Sequence, residues 1–291
     1  MRWALNQISI AGGSRRPPAD LPRDLRALRA GGWRAIEVWL PHWDGYVEAH
    51  GLRAARQLLD DAGLVAAGAC GAMPFFFAEG ERRRRALDDL KPRLAQCQTL
   101  GAPHLVVAPG FEEPETPSVE MLDRAVENVR AAGELAVPYG VRLGIECLAA
   151  ARLVRSFPAA LDLARRAGLP NAGVILDTYH LYAGVSKSED LDALRADPWR
   201  LFFVHVSDVA GTKPRELWAV PDRTLPGAPD GGGIPNAQLL ETVRALGYDG
   251  DLSLEIFDAE CEARWMADPV AAARDAYARC TALAPDQAAL L

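Results

Sequence analysis

Four short apolar stretches of this chain each end in a side chain that can bind a metal ion. The four terminal residues are Glu146, Asp177, His205 and Glu255. Short runs of large apolar and β-branched residues are typical of strands that are buried on both faces of a parallel sheet. In an eight-stranded α/β barrel, the carboxyl ends of the strands converge on one face. We therefore expect these four side chains to meet around one point.

The order of the segments predicts the fold. Apolar strand-like runs alternate with helical stretches about eight times along the chain, which is the pattern of βαβ units and a parallel sheet. The length of 291 residues suits one barrel of this kind, which needs roughly 250 residues. No linker-like or low-complexity stretch divides the chain. The sequence therefore predicts an α/β protein with a single (β/α)8 TIM barrel domain over residues 1–291.

Local sequence patterns also predict the bounds of individual strands, helices and loops. The first strand is predicted from Arg2 to Ser9, and one helix is predicted from Val47 to Ala62. Asn236 is predicted to cap the helix that follows the seventh strand. The segment from Val209 to Pro235 shows no obvious secondary structure, and connections of that length are usually functional. Its last part, Leu225 to Pro235, is rich in Gly and Pro, and we expect that part to form an active-site loop.

Composition excludes several classes of function. A formal net charge of −7 argues against nucleic-acid binding, which needs a basic surface, and favours a small-molecule substrate. The five cysteines include no C-x-x-C pair, which fits reduced thiols. No apolar run approaches membrane-span length, and the N-terminal segment lacks the apolar core of a signal peptide. These features predict a cytoplasmic protein without membrane contact.

The four residues at the ends of these apolar stretches indicate a metal site when they are considered together. One acidic residue at the end of a buried strand can simply pair with an arginine or cap a helix. Four ionisable groups at one core rim are costly unless something pairs them, and a divalent cation does so. Three carboxylates and one imidazole favour Mn²⁺, Mg²⁺, Co²⁺ or Zn²⁺. We predict one such ion, and the sequence does not choose among the four metals.

Several longer strings resemble the sugar phosphate isomerase/epimerase family, which consists of xylose-isomerase-like TIM barrels. The D-R-x-x-P-G loop and the Glu-Ile-Phe end of the last strand are most similar to the inosose (2-keto-myo-inositol) isomerase branch. The resemblance implies that Glu146, Asp177, His205 and Glu255 are the metal ligands, and that Glu146 and Glu255 are the acid/base pair. The strings are Ile145–Glu146, Leu176–His180, Val204–Asp208, Asp222–Gly227 and Ser253–Phe257.

The resemblance also assigns roles to residues near the ligands. His180 corresponds to a histidine that contacts substrate oxygens, and a structural histidine is the alternative. Arg223 resembles a loop arginine that could meet the substrate, although a salt bridge that holds the loop explains it as well. Asp208 matches a position that orients the site or binds a second metal ion.

A further candidate group lies near the amino end. Glu37 and Trp39 close the second predicted strand, and His42 and Trp43 follow in its loop. Aromatic side chains at the mouth of a pocket suit the apolar face of a sugar or cyclitol ring, and a carboxylate can orient its hydroxyls. We predict that Glu37 and Trp39 bind substrate, with core and loop packing as the alternative. Asn6 on the first strand is another candidate of the same kind.

Departures from the family pattern exclude some branches. The ketohexose 3-epimerase branch carries a substrate-binding Glu and an Arg where this chain has Arg152 and Gly211. The related endonuclease branch needs more histidines and a basic groove. The predicted reaction is therefore the isomerisation or epimerisation of a ketose, inosose or related polyhydroxylated carbonyl compound, by proton abstraction through an enediolate.

Two alternatives stay open at this point. The first is a metal-dependent dehydratase of a cyclic hydroxyketone such as an inosose or dehydroshikimate. The second is a sugar-binding or assembly protein without catalytic activity, against which the intact set of four ligands argues. The helices rich in Ala and Arg could face a homodimer partner or solvent.

Overall fold

Eight parallel strands form a closed barrel, as the sequence predicts. The computed structural model describes residues 1–10, 20–71, 74–110, 118–227 and 232–284. Each strand pairs with the next one along the chain, and the eighth pairs with the first. The strands are β1 Trp3–Asn6, β2 Ala35–Trp39, β3 Val65–Cys70, β4 His104–Val107, β5 Arg142–Ile145, β6 Ala172–Asp177, β7 Leu201–Val206 and β8 Leu252–Leu254.

Helices connect the strands and cover the barrel. They are α1 Leu21–Ala30, α2 Leu40–His50, α3 Leu52–Asp61, α4 Gly80–Leu100, α5 Val119–Ala136, α6 Phe157–Ala167, α7 Thr178–Ala183, α8 Asn236–Ala245, α9 Ala259–Ala267 and α10 Pro269–Leu283. Several of them begin and end at the residues that local chemistry favours. Ser118 and Ser156 cap α5 and α6 through their hydroxyls, and Gly101 and Gly168 end α4 and α6 in the left-handed conformation.

Alternation along the strands divides the apolar residues into two groups. Leu5, Ile36 and Val204 belong to the large core between the sheet and the helices. Neighbours one position away, such as Ala35 and Phe203, belong to a smaller cluster, because successive side chains of a strand point to opposite faces. This smaller cluster fills the barrel interior, so the barrel is a packed core.

Four local predictions were wrong in detail. β1 ends at Asn6, because the Asn6 side chain accepts a hydrogen bond from the Ile8 amide and starts a 3₁₀ helix. The predicted helix from Val47 to Ala62 is two helices, because Gly51 adopts a φ of +83° between them. Asn236 is the first residue of α8, and its side chain bonds the Ser207 carbonyl instead of capping the helix.

The fourth correction concerns the connection between β7 and α8. The predicted structureless segment from Val209 to Pro235 contains two short 3₁₀ helices, Arg215–Leu217 and Val220–Asp222. Thr224 forms an antiparallel bridge with Asp208. The described part of this connection is therefore folded back onto the end of β7.

Among the described helices, none combines the length and the apolar character that crossing a membrane requires.

Candidate metal centre

The barrel brings together the side chains of Glu146, Asp177, His205 and Glu255. All four are buried, and one potential ligand atom from each lies within 4.8 Å of the others. Asp177 and His205 lie on β6 and β7 and are paired in the sheet register. Ladder hydrogen bonds also hold the backbones of the two glutamates just past β5 and β8. The Glu146 amide donates to Val107 and the Glu255 amide to Val206.

His205 presents its Nδ1 atom to the three carboxylates. The distances from Nδ1 are 3.3 Å to Glu255 Oε2, 3.6 Å to Glu146 Oε1 and 3.8 Å to Asp177 Oδ2. Nδ1 is buried and has no hydrogen-bond partner among the described residues. Burial lowers the pKa of His205, but the nearby carboxylates outweigh this effect and raise it well above its ordinary value. The ring thus turns one nitrogen toward a concentrated negative charge.

Arg223 reaches the same cluster from the connection after β7. Its Nη2 atom lies 2.6 Å from Asp177 Oδ2 and 2.6 Å from Glu255 Oε2. Its guanidinium also lies between the rings of Tyr179 and Phe257, 5.2 Å and 5.1 Å from their centroids. The salt-bridge alternative for Arg223 is therefore the arrangement that the structure shows, and contact with substrate stays a prediction.

The donor set fits one divalent cation. When ionised, the carboxylates of Glu146, Asp177 and Glu255 carry three negative charges, and Arg223 offsets one of them. A doubly charged ion would neutralise the remainder and would give the unpaired His205 nitrogen a partner. Three carboxylate oxygens and one imidazole nitrogen are ligands for Mn²⁺, Mg²⁺, Co²⁺ or Zn²⁺. These four residues could hold such an ion.

The two glutamates of the cluster differ in their surroundings. Asn6 donates from Nδ2 to Glu255 Oε1 at 3.1 Å, and Arg223 bonds Glu255 Oε2. Burial raises the pKa of Glu255, but the charges of Arg223 and His205 outweigh burial and hold it well below its ordinary value. Both oxygens of Glu255 thus have donors that favour the ionised form.

Glu146 lacks that support. Burial raises the pKa of Glu146 to about 7, the nearby His205 ring opposes this shift, and the Glu255 charge adds to it. Among the described residues, Glu146 contacts His205 Nδ1 at 3.6 Å, and no arginine pairs with it. Glu146 is therefore held in the ionised form less strongly than Glu255.

Glu37 contacts two protein side chains inside the barrel. Its side chain is fully buried, and its carboxylate lies 3.0 Å from His205 Nε2 and accepts a 2.7 Å hydrogen bond from the Ser253 hydroxyl. A contact of Glu37 with substrate stays a prediction. Ser253 was missed, although it precedes Glu255 by two residues and alternation turns both inward.

The aromatic residues at the end of β2 and on α2 are packed against other side chains. Trp39 is 9% exposed, and its ring stacks on the His42 ring with centroids 6.4 Å apart. Trp43 is fully buried and donates from Nε1 to Gln7 Oε1 at 2.6 Å. Packing is thus the arrangement seen for Trp43, whereas a substrate contact of Trp39 stays a prediction.

The contacts of His180 define its tautomer, and those of Asp208 define its role in the loop. The His180 Nδ1 atom accepts a hydrogen bond from the Ala149 amide at 3.2 Å, and burial lowers the pKa of the ring. Neutral His180 therefore carries its proton on Nε2. Asp208 accepts hydrogen bonds from the backbone amides of Val209, Gly227, Gly233 and Ile234. Its contacts favour holding the loop over binding a second metal ion.

Comparisons with known proteins agree with this geometry. A family model described as "Xylose isomerase-like TIM barrel" matches residues 25–281. A 3-dehydroshikimate dehydratase of Pseudomonas putida is 32% identical over 263 residues, which is 89% of this chain and 38% of that protein. An inosose isomerase of Halalkalibacterium halodurans is 26% identical over 263 residues and 89% of both chains. The chain thus spans well under half of the dehydratase and most of the isomerase.

Solved structures share the whole fold. The crystal structure of the IOLI protein with a binding zinc atom has a TM-score of 0.84 at 22% identity, over 97% of this chain and 98% of that chain. A fusion of a xylose isomerase-like TIM barrel with 4-hydroxyphenylpyruvate dioxygenase has a TM-score of 0.80 at 27% identity, over 97% of this chain and 42% of that chain. The first likeness, given its identity, concerns the fold alone.

Proposed function

This chain belongs to the xylose isomerase-like TIM barrel family, and on that premise we propose that it is a divalent-metal-dependent isomerase or epimerase. The proposed substrate is a ketose, an inosose or a related polyhydroxylated carbonyl compound. The observation that carries the proposal is the His205 Nδ1 atom, which faces three buried carboxylates at the top of the barrel and has no hydrogen-bond partner in the part of the chain that the structure describes. The likeness to inosose isomerases supports the substrate class.

The proposed ligands are Glu146, Asp177, His205 and Glu255, with one ion among them. We infer that a hard ion such as Mn²⁺ suits this oxygen-rich set, and the zinc atom of the IOLI structure makes Zn²⁺ the second ion to test. A divalent ion in this position would polarise the substrate carbonyl and acidify the neighbouring C–H bond.

Glu146 is the proposed base that removes the proton next to the carbonyl. Glu146 lacks the Asn6 and Arg223 contacts that engage both oxygens of Glu255, so an oxygen of Glu146 that does not bind the ion would be available to accept a proton. Isomerisation follows when a proton returns to the former carbonyl carbon of the enediolate and the hydroxyl proton moves to the former carbonyl oxygen. Epimerisation follows when a proton returns to the original carbon from the opposite face. Glu255 is the second member of the proposed pair, although Asn6 and Arg223 hold it in the ionised form.

His180 and Arg223 are proposed to act beside this pair. The Ala149 amide fixes the tautomer of His180, so its Nε2–H group can only donate, which suits a substrate oxygen. Arg223 is proposed to orient Asp177 and Glu255 and to keep Glu255 ionised. Its cation also places positive charge beside an anion that develops during the reaction.

A dehydratase is the second candidate, and the 32% identity to 3-dehydroshikimate dehydratase favours it. The first step would be the same removal of a proton next to a carbonyl. The carbanion would then expel a β-hydroxyl group, which leaves as water after it is protonated, and a C=C bond would form. The two candidates therefore differ in the fate of the same enolate.

Proton NMR in D₂O separates the two candidates. Metal-loaded protein is mixed with a panel of ketoses, inososes and 3-dehydroshikimate, with Glu146→Gln as the inactive variant. Glu134→Gln, on the exposed face of α5, is the matched control and should behave like wild type. Exchange of one C–H with an isomer as product supports the isomerase, whereas signals of a product that has lost one water, either unsaturated or aromatic, support the dehydratase. Absence of exchange across the panel, with metal bound, would contradict both.

The remaining functional predictions follow from charge and composition. We propose a small polyhydroxylated molecule as the binding partner and no nucleic acid, because the chain carries a net charge of −7. A cytoplasmic location and a homodimer stay predictions.

A further inference from the structure

The barrel interior contains an acidic residue that the proposed chemistry does not use. We propose that Glu37 is a positioning residue that orients the metal ligand His205, and that Ser253 anchors Glu37 for this task. This inference rests on the proposed metal-dependent function, because it assigns Glu37 a role toward a ligand of the ion.

The contacts of Glu37 define one geometry for the His205 ring. His205 Nε2 lies 3.0 Å and 3.1 Å from the two oxygens of Glu37. The Ser253 hydroxyl donates to Glu37 Oε2 at 2.7 Å and prevents that carboxylate from swinging away. Phe203 packs edge-on against the His205 ring, with centroids 5.5 Å apart. The ring is therefore held through its Nε2 edge and by packing.

This contact decides which nitrogen of His205 can bind an ion. A carboxylate that accepts a hydrogen bond from Nε2 places the ring proton there, so that the lone pair of the neutral ring lies on Nδ1. Nδ1 is the atom that faces Glu146, Asp177 and Glu255. A carboxylate in this position also makes the ligand nitrogen more basic. Glu37 thus favours the tautomer and orientation that the proposed metal site needs.

Packing alone does not explain a carboxylate at this position. The sheet register places Glu37 beside Asn6 of β1 and Gly68 of β3, and its side chain is fully buried. Burying a carboxylate is unfavourable unless hydrogen bonds compensate for the lost water. An apolar side chain would fill the same space without that cost. The two hydrogen-bonding partners of Glu37 indicate that its charge serves His205.

Metal affinity tests this role without relying on turnover. Chelator-treated wild type, Glu37→Gln and Glu37→Ala are titrated with Mn²⁺ and with Zn²⁺ by calorimetry. Loss of a carboxylate that supports a ligand histidine weakens metal binding by roughly 10- to 100-fold. The isosteric Gln variant keeps an acceptor for Nε2–H but loses the charge, so we expect the smaller effect there. Ser253→Ala should weaken binding in the same direction.

A buried acid outside the cluster provides the matched control. Asp24 of α1 is fully buried and accepts a hydrogen bond from Trp265 Nε1, so Asp24→Asn removes a buried charge without touching the cluster. Its metal affinity should equal that of wild type. The visible absorption of bound Co²⁺ adds a second measurement, because its intensity and position report the ligand geometry, and it should change in Glu37→Gln but not in Asp24→Asn.

The outcomes separate this inference from the proposed function. Wild type that binds none of the ions would overturn both. Wild type that binds, together with folded Glu37→Gln and Glu37→Ala variants of unchanged affinity and Co²⁺ spectrum, would overturn the role of Glu37 alone. Weakened binding in the Glu37 variants, with unchanged Asp24→Asn, supports the assignment. The isosteric Gln variant keeps the test decisive if the Ala variant does not fold.

Discussion

His104, inside the barrel at the start of β4, should make the folded protein sensitive to acid. The side chain is 2% exposed and packs against the Phe203 ring with centroids 4.4 Å apart. Neither ring nitrogen has a hydrogen-bond partner among the residues that the structure describes. Burial lowers the pKa of His104 to about 3, and the charges of Arg142 and His205 act in the same direction.

The sign of the effect follows from the protons bound in each state. A histidine in the unfolded chain titrates near pH 6.5, and above that pH neither state holds the extra proton. As the pH falls below 6.5, the unfolded chain binds a proton that folded His104 refuses, so the free energy of unfolding decreases. The decrease ends near pH 3, where the folded ring titrates. At about 1.4 kcal/mol per pH unit, the loss at pH 5 is about 2 kcal/mol.

The variant His104→Leu isolates this contribution. Leucine has a similar size and does not titrate, so the variant should lose about 2 kcal/mol less than wild type between pH 8 and pH 5. Urea denaturation at both pH values, in the presence of a chelator, measures the difference. His50→Leu is the matched control, because His50 is exposed on α2 and solvent can surround its ring in both states.

One outcome of these denaturation measurements would contradict the prediction for His104. If the stability difference between wild type and His104→Leu were the same at pH 8 and pH 5, folded His104 would be titrating like an exposed histidine. Burial and the missing hydrogen-bond partners would then not lower the pKa of folded His104. A larger pH effect in His50→Leu than in His104→Leu would contradict it as well.

Two further predictions concern the connection after β7. Arg223→Met leaves two buried carboxylates without their cation, so we expect the metal-free protein to lose about 3–5 kcal/mol of stability. Saturating Mn²⁺ should restore part of the loss, because an ion that binds only the folded state stabilises it. Urea denaturation with and without Mn²⁺ measures both effects, and unchanged metal-free stability would count against the ion pairs. Asp208→Ala removes an acceptor shared by backbone amides of the loop. It should speed limited proteolysis between β7 and α8, whereas an unchanged cleavage rate would mean that other contacts hold the loop.

The strands and the meeting of four ionisable side chains at one end of the barrel could be predicted because both depend on local pattern. Apolar runs identify the strands, and the residue that closes each run lies at the carboxyl end, which a parallel barrel gathers on one face. The helix ends at Ser118, Ser156, Gly101 and Gly168 also depend on local chemistry, since a hydroxyl or a left-handed glycine acts within one turn. The break at Gly51 was missed because a glycine inside a helical pattern is often tolerated.

The roles of Glu37 and Arg223 could not be assigned from pattern. Glu37 is 168 positions from His205 and 216 from Ser253, so only closure of the barrel decides that they meet. An arginine can bind an anion at any position in a protein, so the residue type does not identify its partner. The path of the connection after β7 brings Arg223 to protein carboxylates rather than to solvent.

By itself, the sequence determined the barrel, the order of its strands and the residues that reach its top. Periodicity and strand ends are properties of neighbouring residues. Only the tertiary structure decided which of the carboxylates at the top of the barrel lie beside groups that favour their ionised form. Arg223 and Asn6 favour ionised Glu255, while burial leaves Glu146 with a pKa of about 7. The physical reason is that pKa values depend on burial and on charges within a few ångströms, which chain closure brings together from distant positions.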